Sequence, residues 1–234
     1  MDVAASAARF GDKILSFLAI ILMVVMLSFG GYSLWDTYVT MSGAFLKDDL
    51  LKYKPSLDNP EQTRLSLQEL MAINPDTRAW ITLDGTHIDY PMVQGEDDME
   101  YVNKDATGDF SLSGAIFLSA ENKADFTDSY MLTYGHHMDN GGMYGDVMEF
   151  LDEDYFEKNR TGHLFLPDGR ARKLDVFAVI ECDAYDQMIY RTDNKNGHVM
   201  ELVEYLKNHA TNFRDIGMKE SDQIMALSTC VSLE

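Results

Sequence analysis

The longest apolar run of the chain lies close to its N-terminus. Residues 14–34 contain no ionisable side chain except the phenol of Tyr32. At about 1.5 Å per residue, a helix of this length crosses a hydrocarbon core about 30 Å thick. The run is long for the apolar region of a signal peptide, and no Ala-x-Ala-like cleavage site follows it. The pattern therefore favours an uncleaved transmembrane helix over residues 14–35, rather than a cleaved signal peptide.

The charges on either side of this run predict its orientation. Arg9 and Lys13 precede it, whereas the next basic residue after it is Lys47. Trp35 at the far end is typical of an aromatic side chain at a membrane interface. Because basic residues near a transmembrane helix are retained on the cytoplasmic side, residues 1–13 are predicted to be cytoplasmic and the bulk of the chain extracellular.

A polar stretch and a short helix follow the apolar run. Residues 36–65 are mixed and polar and contain two prolines, which is typical of a stalk or linker. Ser66 followed by Glu69 matches a capping box, and apolar residues then continue at helical spacing until the Asn-Pro dipeptide at 74–75. The pattern predicts that a short helix opens a folded domain over residues 66–234.

Alternating apolar residues and turn dipeptides predict that the next part of the chain is rich in strands. Two short apolar segments flank Asp84-Gly85, which suits a hairpin turn because both residues tolerate positive φ. Asp168-Gly169 is a second turn of this kind. Further strands are predicted at residues 114–118, 130–134, 163–166 and 173–180.

Segments with helical spacing interrupt these strands. Apolar residues recur near helical spacing in residues 146–159, and more clearly in residues 198–213. A final apolar run, residues 223–227, predicts a strand that leads directly to Cys230. Because strands outnumber helices, the predicted fold class is mainly β with helices (α+β), a β-barrel or sandwich decorated by helices.

The net charge narrows the range of partners. The chain carries 39 acidic and 19 basic side chains, which gives a formal net charge of −20. No run of Lys or Arg creates a local basic patch. Since nucleic-acid affinity depends on cationic contacts with phosphates, a nucleic-acid partner is not expected.

The chain contains two cysteines, Cys182 and Cys230. Two are too few for a disulfide framework, although a single bridge between them stays open at this stage. Cys230 follows a predicted strand and stands among small polar residues, a setting that would expose a thiol at the end of a strand. The alternative is an inert packing residue, because a free cysteine behaves as a small hydrophobe.

A reactive cysteine requires a base or a cation nearby, and six histidines could serve. His136 and His137 follow a predicted strand in a glycine-rich loop, where a side chain can project into a cleft. The other four lie on predicted hairpins or helices, which is typical of structural or surface histidines. Together with Asp139, the adjacent pair also allows a metal site, but no HExxH or CxxC pattern supports one. No metal and no cofactor are therefore predicted.

Five segments in order carry a resemblance to a known family. They read DYPMVQG, YVNKDATG, SGAIFL, YGHHMDNGGMYGDV and LSTC, and an apolar N-terminal segment precedes them. In this combination the chain resembles the class B sortases from about residue 67 to the end. The family's Thr-Leu-x-Thr-Cys-like signature corresponds to the tetrad that ends at Cys230, and its Tyr-Gly-His loop corresponds to the segment that ends at His136. Ala226 is a departure, because the family usually has Thr before the Leu.

The resemblance implies a sortase-type closed β-barrel and a cysteine transpeptidase of the Gram-positive envelope. Cys230 would be the nucleophile and His136 the acid and base. The enzyme would cleave a C-terminal sorting signal of secreted proteins through a thioester and join the product to an amine of a cell-wall cross-bridge or a pilin lysine. By motif position and loose alignment, Ser228, Asp105 and Tyr185 would line the substrate groove. No cofactor is implied.

One element of the family pattern is absent from the sequence. Sortases carry an Arg on a further strand after the cysteine, whereas this chain ends four residues beyond Cys230. No other arginine matches that motif position, and we therefore expect a truncated chain that lacks its C-terminal strand. A catalytically impaired sortase-like envelope binding or scaffold protein is the alternative function, and a cysteine hydrolase with the same nucleophile and base is another.

Overall fold

The computed structural model describes residues 2–43, 48–191 and 197–230. It divides the chain into two compact units, Met1–Ser42 and Gly43–Glu234. The predicted stalk, residues 36–65, and the predicted catalytic domain, residues 66–234, each include a few residues outside the described ranges.

The first unit is one long helix, α1 (Asp2–Gly43). Within it, the segment Ser6–Val39 is long and apolar enough to cross a membrane, and an 18-residue window of it has a mean hydropathy of 2.5. None of that apolar window is buried against other parts of the protein. The predicted helix over residues 14–35 is therefore present, and its apolar surface fits a membrane anchor.

Two further helices precede the sheet, α2 (Asp48–Leu51) and α3 (Pro60–Ile73). The predicted start of α3 at Ser66 is wrong, because Pro60 occupies the first turn and the Asn59 side chain accepts a hydrogen bond from the Gln62 amide. Ser66 lies inside the helix and is buried. The predicted end is confirmed, since the Asn74 amide donates to the Leu70 carbonyl and closes the last turn.

The second unit is built on a curled, seven-stranded sheet. Its strands are β1 (Thr77–Leu83), β2 (Asp89–Val93), β3 (Ile116–Leu118), β4 (Tyr130–Tyr134), β5 (Thr161–Phe165), β6 (Ala171–Asp175) and β9 (Ile224–Ser228), in the spatial order β6-β5-β1-β2-β3-β4-β9. Both predicted hairpins are present, β1 with β2 and β5 with β6. The barrel-type architecture with helices is thus confirmed.

The remaining elements cover this sheet. They are a 3-10 helix (Gly145–Leu151), α4 (Glu153–Lys158), β7 (Ala178–Val179), α5 (Gln187–Tyr190), α6 (Val199–His209) and β8 (Asn212–Phe213). The single strand predicted over residues 173–180 is wrong, because β6 ends at Asp175 and β7 pairs with β8 in a separate two-stranded sheet. The Arg214 guanidinium donates to the Val176 carbonyl and stabilises this break.

Apolar side chains fill both sides of the sheet. One cluster joins β1 to β4 with the 3-10 helix and α4, and includes Ile81, Met92, Leu118 and Tyr144. A second cluster packs α6 against β4 and β9. Burial of this kind contributes about 25 cal/mol per Å² and holds β4 and β9 between two packed layers.

The sheet ends in two strands, β6 and β9. Among the described residues each of them pairs with one neighbour only, β5 and β4 respectively. A cavity of about 530 Å³ lies between them, with Leu174, Phe177, Met225 and Leu227 in its lining. The described part of the sheet is therefore a half-barrel that is open on this side.

Candidate active site

Two parallel neighbouring strands carry the chemistry that the sequence predicts. β4 and β9 pair in register from Tyr130 with Ile224 to Tyr134 with Ser228. The ladder continues one step, because the Gly135 amide donates to the Ser228 carbonyl at 3.1 Å. His136 and Cys230 each follow the last strand pair by two residues. The fold therefore places both residues at the same end of two neighbouring strands.

Neither cysteine is in a disulfide, and Cys230 is exposed whereas Cys182 is partly buried. The bridge that the sequence left open is not formed. Cys230 lies two residues beyond the end of β9, where its side chain is not covered by the sheet. A thiol in this position can act as a nucleophile.

His136 is held at both its ring and its backbone. Its ring Nε2 lies 2.9 Å from the Val102 carbonyl oxygen, and the side chain is partly buried. Its own carbonyl accepts a hydrogen bond from the Tyr144 amide at 3.0 Å. The imidazole is therefore fixed beside the strand that carries Cys230, which suits a general acid and base.

Tyr144 links the loop that carries His136 to β9, the strand that leads to Cys230. The Thr133 hydroxyl donates to the Ala226 carbonyl at 2.9 Å, so the Tyr144 hydroxyl, 2.9 Å from Thr133 Oγ1, acts as the donor to Thr133. Complete burial raises the pKa of Tyr144 well above the ordinary value of a phenol, and the hydroxyl stays protonated. A chain of hydrogen bonds thus connects the His136 loop to β4 and β9.

Gly135 is required by close packing at the end of β4. A Cβ at this position would lie 2.5 Å from the Ile116 side chain and 2.8 Å from the Tyr144 ring. We predict that Gly135→Ala lowers the free energy of unfolding by about 1–3 kcal/mol, because neither buried neighbour can move freely. Thermal or urea unfolding of the variant measures this change, and an unchanged midpoint would contradict the described packing.

The rest of the loop that carries His136, residues 137–146, is hydrogen-bonded to the β1–β2 hairpin. The Asp146 carboxylate accepts from the His87 amide at 2.7 Å and lies 3.0 Å from His87 Nδ1. The Tyr90 hydroxyl accepts from the Met143 amide at 2.9 Å. His137 forms a bridge with Met143 in the same loop. These contacts hold residues 137–146 against the hairpin and across their own loop.

Tyr190 is a site residue that the sequence did not reveal. Its hydroxyl lies 3.2 Å from Ser228 Oγ. Burial raises its pKa, the Ser228 hydroxyl partly offsets that shift, and Cys182 and Cys230 raise the pKa further, so the hydroxyl stays protonated. Tyr190 belongs to the one-turn helix α5, which is too short to give a periodic pattern that could have indicated it.

The other two predicted groove residues, Asp105 and Tyr185, lie in loops rather than on β4 or β9. The Asp105 carboxylate accepts from the Thr107 amide and hydroxyl and from the Asp109 amide, and it organises its own turn. Tyr185 is 89% exposed in the segment before α5. The structure thus brings Ser228 together with Cys230 and His136, whereas it places Asp105 and Tyr185 on flanking loops.

Known proteins with similar sequences or structures agree with this geometry, although a scan against protein-family models finds no match. The chain is 27% identical over 222 residues to sortase B of Staphylococcus aureus, and the match covers 93% of this chain and 90% of that protein. A class B sortase of Streptococcus pyogenes involved in pilus biogenesis is 37% identical, with a TM-score of 0.66 over 70% of this chain and 89% of that one.

A third comparison concerns a relative with its substrate. The structure of a Staphylococcus aureus sortase B–substrate complex matches with a TM-score of 0.66 and 27% identity, over 72% of this chain and 78% of that chain. The strand order, the Cys and His that follow adjacent strands, and these similarities in sequence and structure agree. The chain belongs to the class B sortases, which are cysteine transpeptidases.

Proposed function

We propose that this protein is a membrane-anchored sortase that attaches secreted proteins to the cell envelope through a thioester on Cys230. The observation that supports the proposal is the parallel register of β4 and β9, because His136 and Cys230 each follow its last pair by two residues. The apolar helix α1 would serve as a single-pass anchor. With residues 1–13 in the cytoplasm, the catalytic unit would face outward.

In the first half-reaction, the Cys230 thiolate attacks the carbonyl carbon of a Thr in the sorting signal. A tetrahedral intermediate collapses to a thioester, and the C–N bond of the next peptide unit breaks. His136 donates a proton to the departing nitrogen, which leaves as an amine. The acyl-enzyme then carries the secreted protein up to that Thr.

In the second half-reaction, an incoming primary amine attacks the thioester. His136 accepts a proton from that nitrogen, a new amide bond forms, and the sulfur leaves as the Cys230 thiolate. One cycle therefore returns His136 to its protonated form and Cys230 to its thiolate, and neither step needs a cofactor. We propose an Asn-Pro-x-Thr type sorting signal as substrate, and an amine of a cell-wall cross-bridge or a pilin lysine as acceptor.

Ser228 and Tyr190 are proposed to form the part of the substrate pocket nearest the thiol. Their oxygen atoms are 3.2 Å apart, and Ser228 lies two residues before Cys230 on the same strand. Asp105 would contact the peptide from the loop that also carries Val102, and the exposed ring of Tyr185 would contact it from the opposite loop.

We predict that Ser228→Ala raises KM for a sorting peptide about three- to tenfold with a smaller change in kcat, because one pocket hydrogen bond is lost. Tyr190→Phe removes the other half of the same contact. If the two hydroxyls act together, the double variant resembles either single variant rather than their sum. Steady-state kinetics measure this, and fully additive effects would contradict a joint role.

Product analysis tests the proposed reaction. The full chain in detergent micelles is incubated with an Asn-Pro-x-Thr peptide, with and without a glycine oligomer or a lysine derivative as acceptor. A product joined to the acceptor supports transpeptidation. Release of the free acid at the same rate in both cases identifies a hydrolase, and binding without cleavage identifies a sortase-like scaffold.

A further inference from the structure

Within the described part of the chain, the ring of His136 makes one hydrogen bond, and its geometry defines a tautomer. Nε2 lies 2.9 Å from the carbonyl oxygen of Val102. A carbonyl oxygen can only accept a hydrogen bond, so Nε2 carries the proton. Among the described residues, Nδ1 has no hydrogen-bond partner, and it is the ring nitrogen left for exchange with the reacting groups.

The Val102 carbonyl is held in place by close packing against Gly114. A Cβ on Gly114 would lie 2.5 Å from the Val102 oxygen and 2.8 Å from the Tyr101 oxygen, at a φ of +60°. The Ala115 amide donates to the Tyr101 carbonyl at 3.1 Å. The backbone of 101–102 is therefore clamped against β3, and only glycine fits at position 114.

A buried network fixes the same backbone from the other side. The Tyr101 hydroxyl donates to the Asp76 carboxylate at 2.9 Å and accepts from the side-chain nitrogen Nδ2 of Asn74 at 2.8 Å. Asn74 also donates to the Ala106 carbonyl at 3.0 Å. These contacts connect the loop to the end of α3, so the oxygen that faces His136 has little freedom to move.

We propose that the Val102 carbonyl is a positioning group that keeps neutral His136 in the Nε2–H tautomer, so that Nδ1 exchanges the proton in both half-reactions. This inference rests on the proposed function, in which His136 is the acid and base. Both the Nε2–H neutral ring and the imidazolium keep the bond to Val102, whereas the Nδ1–H neutral ring loses it. The ring can thus give and take a proton without turning.

The tautomer can be measured directly in the absence of substrate. The full chain is labelled with ¹⁵N-histidine in detergent micelles, and long-range ¹H–¹⁵N spectra are recorded at a pH at which imidazole is neutral. The loss of one ring system in His136→Asn assigns the signals. A pyrrole-type Nε2 and a pyridine-type Nδ1 support the proposal, whereas the reverse pattern or an average of the two overturns it.

Two glycine substitutions in the same loop test the role of the carbonyl. Gly114→Ala pushes against the Val102 oxygen, whereas Gly108 has a φ of +91° and nothing within 4 Å of a Cβ, so Gly108→Ala imposes only backbone strain. We expect Gly114→Ala to shift the His136 signals toward a tautomer average and to lower kcat about tenfold, with a smaller change in KM. Gly108→Ala should keep the signals of the unchanged protein.

Equal spectra for the two variants would overturn the positioning role. If Gly114→Ala does not fold, the spectrum of the unchanged protein still decides the tautomer. The tautomer proposal and the proposed function can each fail while the other holds. A pyrrole-type Nε2 in a protein that forms no acyl-enzyme would leave the tautomer intact and remove the reaction, whereas an active enzyme with a pyrrole-type Nδ1 would do the opposite.

Discussion

Cys230→Ala is expected to abolish sorting-peptide cleavage, with a loss of about 10⁴-fold or more, because both proposed half-reactions pass through the thioester bond between the Cys230 sulfur and the Thr carbonyl carbon. The side chain is exposed, so its removal leaves the core unchanged. The free energy of unfolding should therefore be almost the same in the variant. Cleavage rates and urea unfolding of the two proteins measure these expectations together.

Cys182→Ala is the matched control for this variant. Cys182 is the other cysteine and lies near the Tyr190 hydroxyl, but it does not follow β9 as Cys230 does. It should retain most of the activity. If Cys182→Ala loses activity and Cys230→Ala retains it, Cys182 is the nucleophile, and the proposed site is contradicted.

His136→Asn should lower kcat by about 10²–10⁴-fold with little change in KM, because a positioned acid and base contributes about that factor. Asparagine retains a polar group of similar reach near the Val102 carbonyl, so the fold of the loop should be preserved. Since both half-reactions use His136, acyl-enzyme formation and its release by an amine should both be slower. Single-turnover and steady-state rates separate the two steps.

His137→Asn is the matched control for His136→Asn. The two histidines are adjacent in sequence, but His137 pairs across its own loop with Met143, and its Nε2 lies 3.5 Å from Asp139 at the surface. Its replacement should affect stability more than turnover. A loss of turnover in His137→Asn as large as that in His136→Asn would assign the acid and base to the wrong residue.

The local elements of the fold were largely predictable from the sequence, because they depend on short-range patterns. The strand β4 has the predicted bounds, and β9 differs from its predicted bounds by one residue at each end. Hairpin turns at Gly85 and Gly169 are marked by dipeptides that tolerate positive φ. The parallel pairing of β4 with β9 joins residues more than ninety positions apart, and no local pattern specifies it.

The candidate site was predictable in its reactive residues but not in its supporting ones. Cys230 and His136 stand in motifs, whereas Tyr190 and the Val102 carbonyl reach the site through tertiary structure. A backbone carbonyl leaves no mark on the sequence, although the glycine that accommodates it, Gly114, does. The wrong start of α3 has a local cause, since Asn59 and Pro60 form a stronger beginning than Ser66.

Mapping of the acyl-enzyme tests the central claim most directly. The full chain in detergent micelles is mixed with an Asn-Pro-x-Thr peptide, and intact and proteolytic mass spectra are recorded before and after addition of an amine. The account predicts a thioester that ends at the Thr carbonyl, maps to Cys230 and disappears when the amine is added. An adduct on Cys182, or a folded protein that forms no adduct, would contradict it.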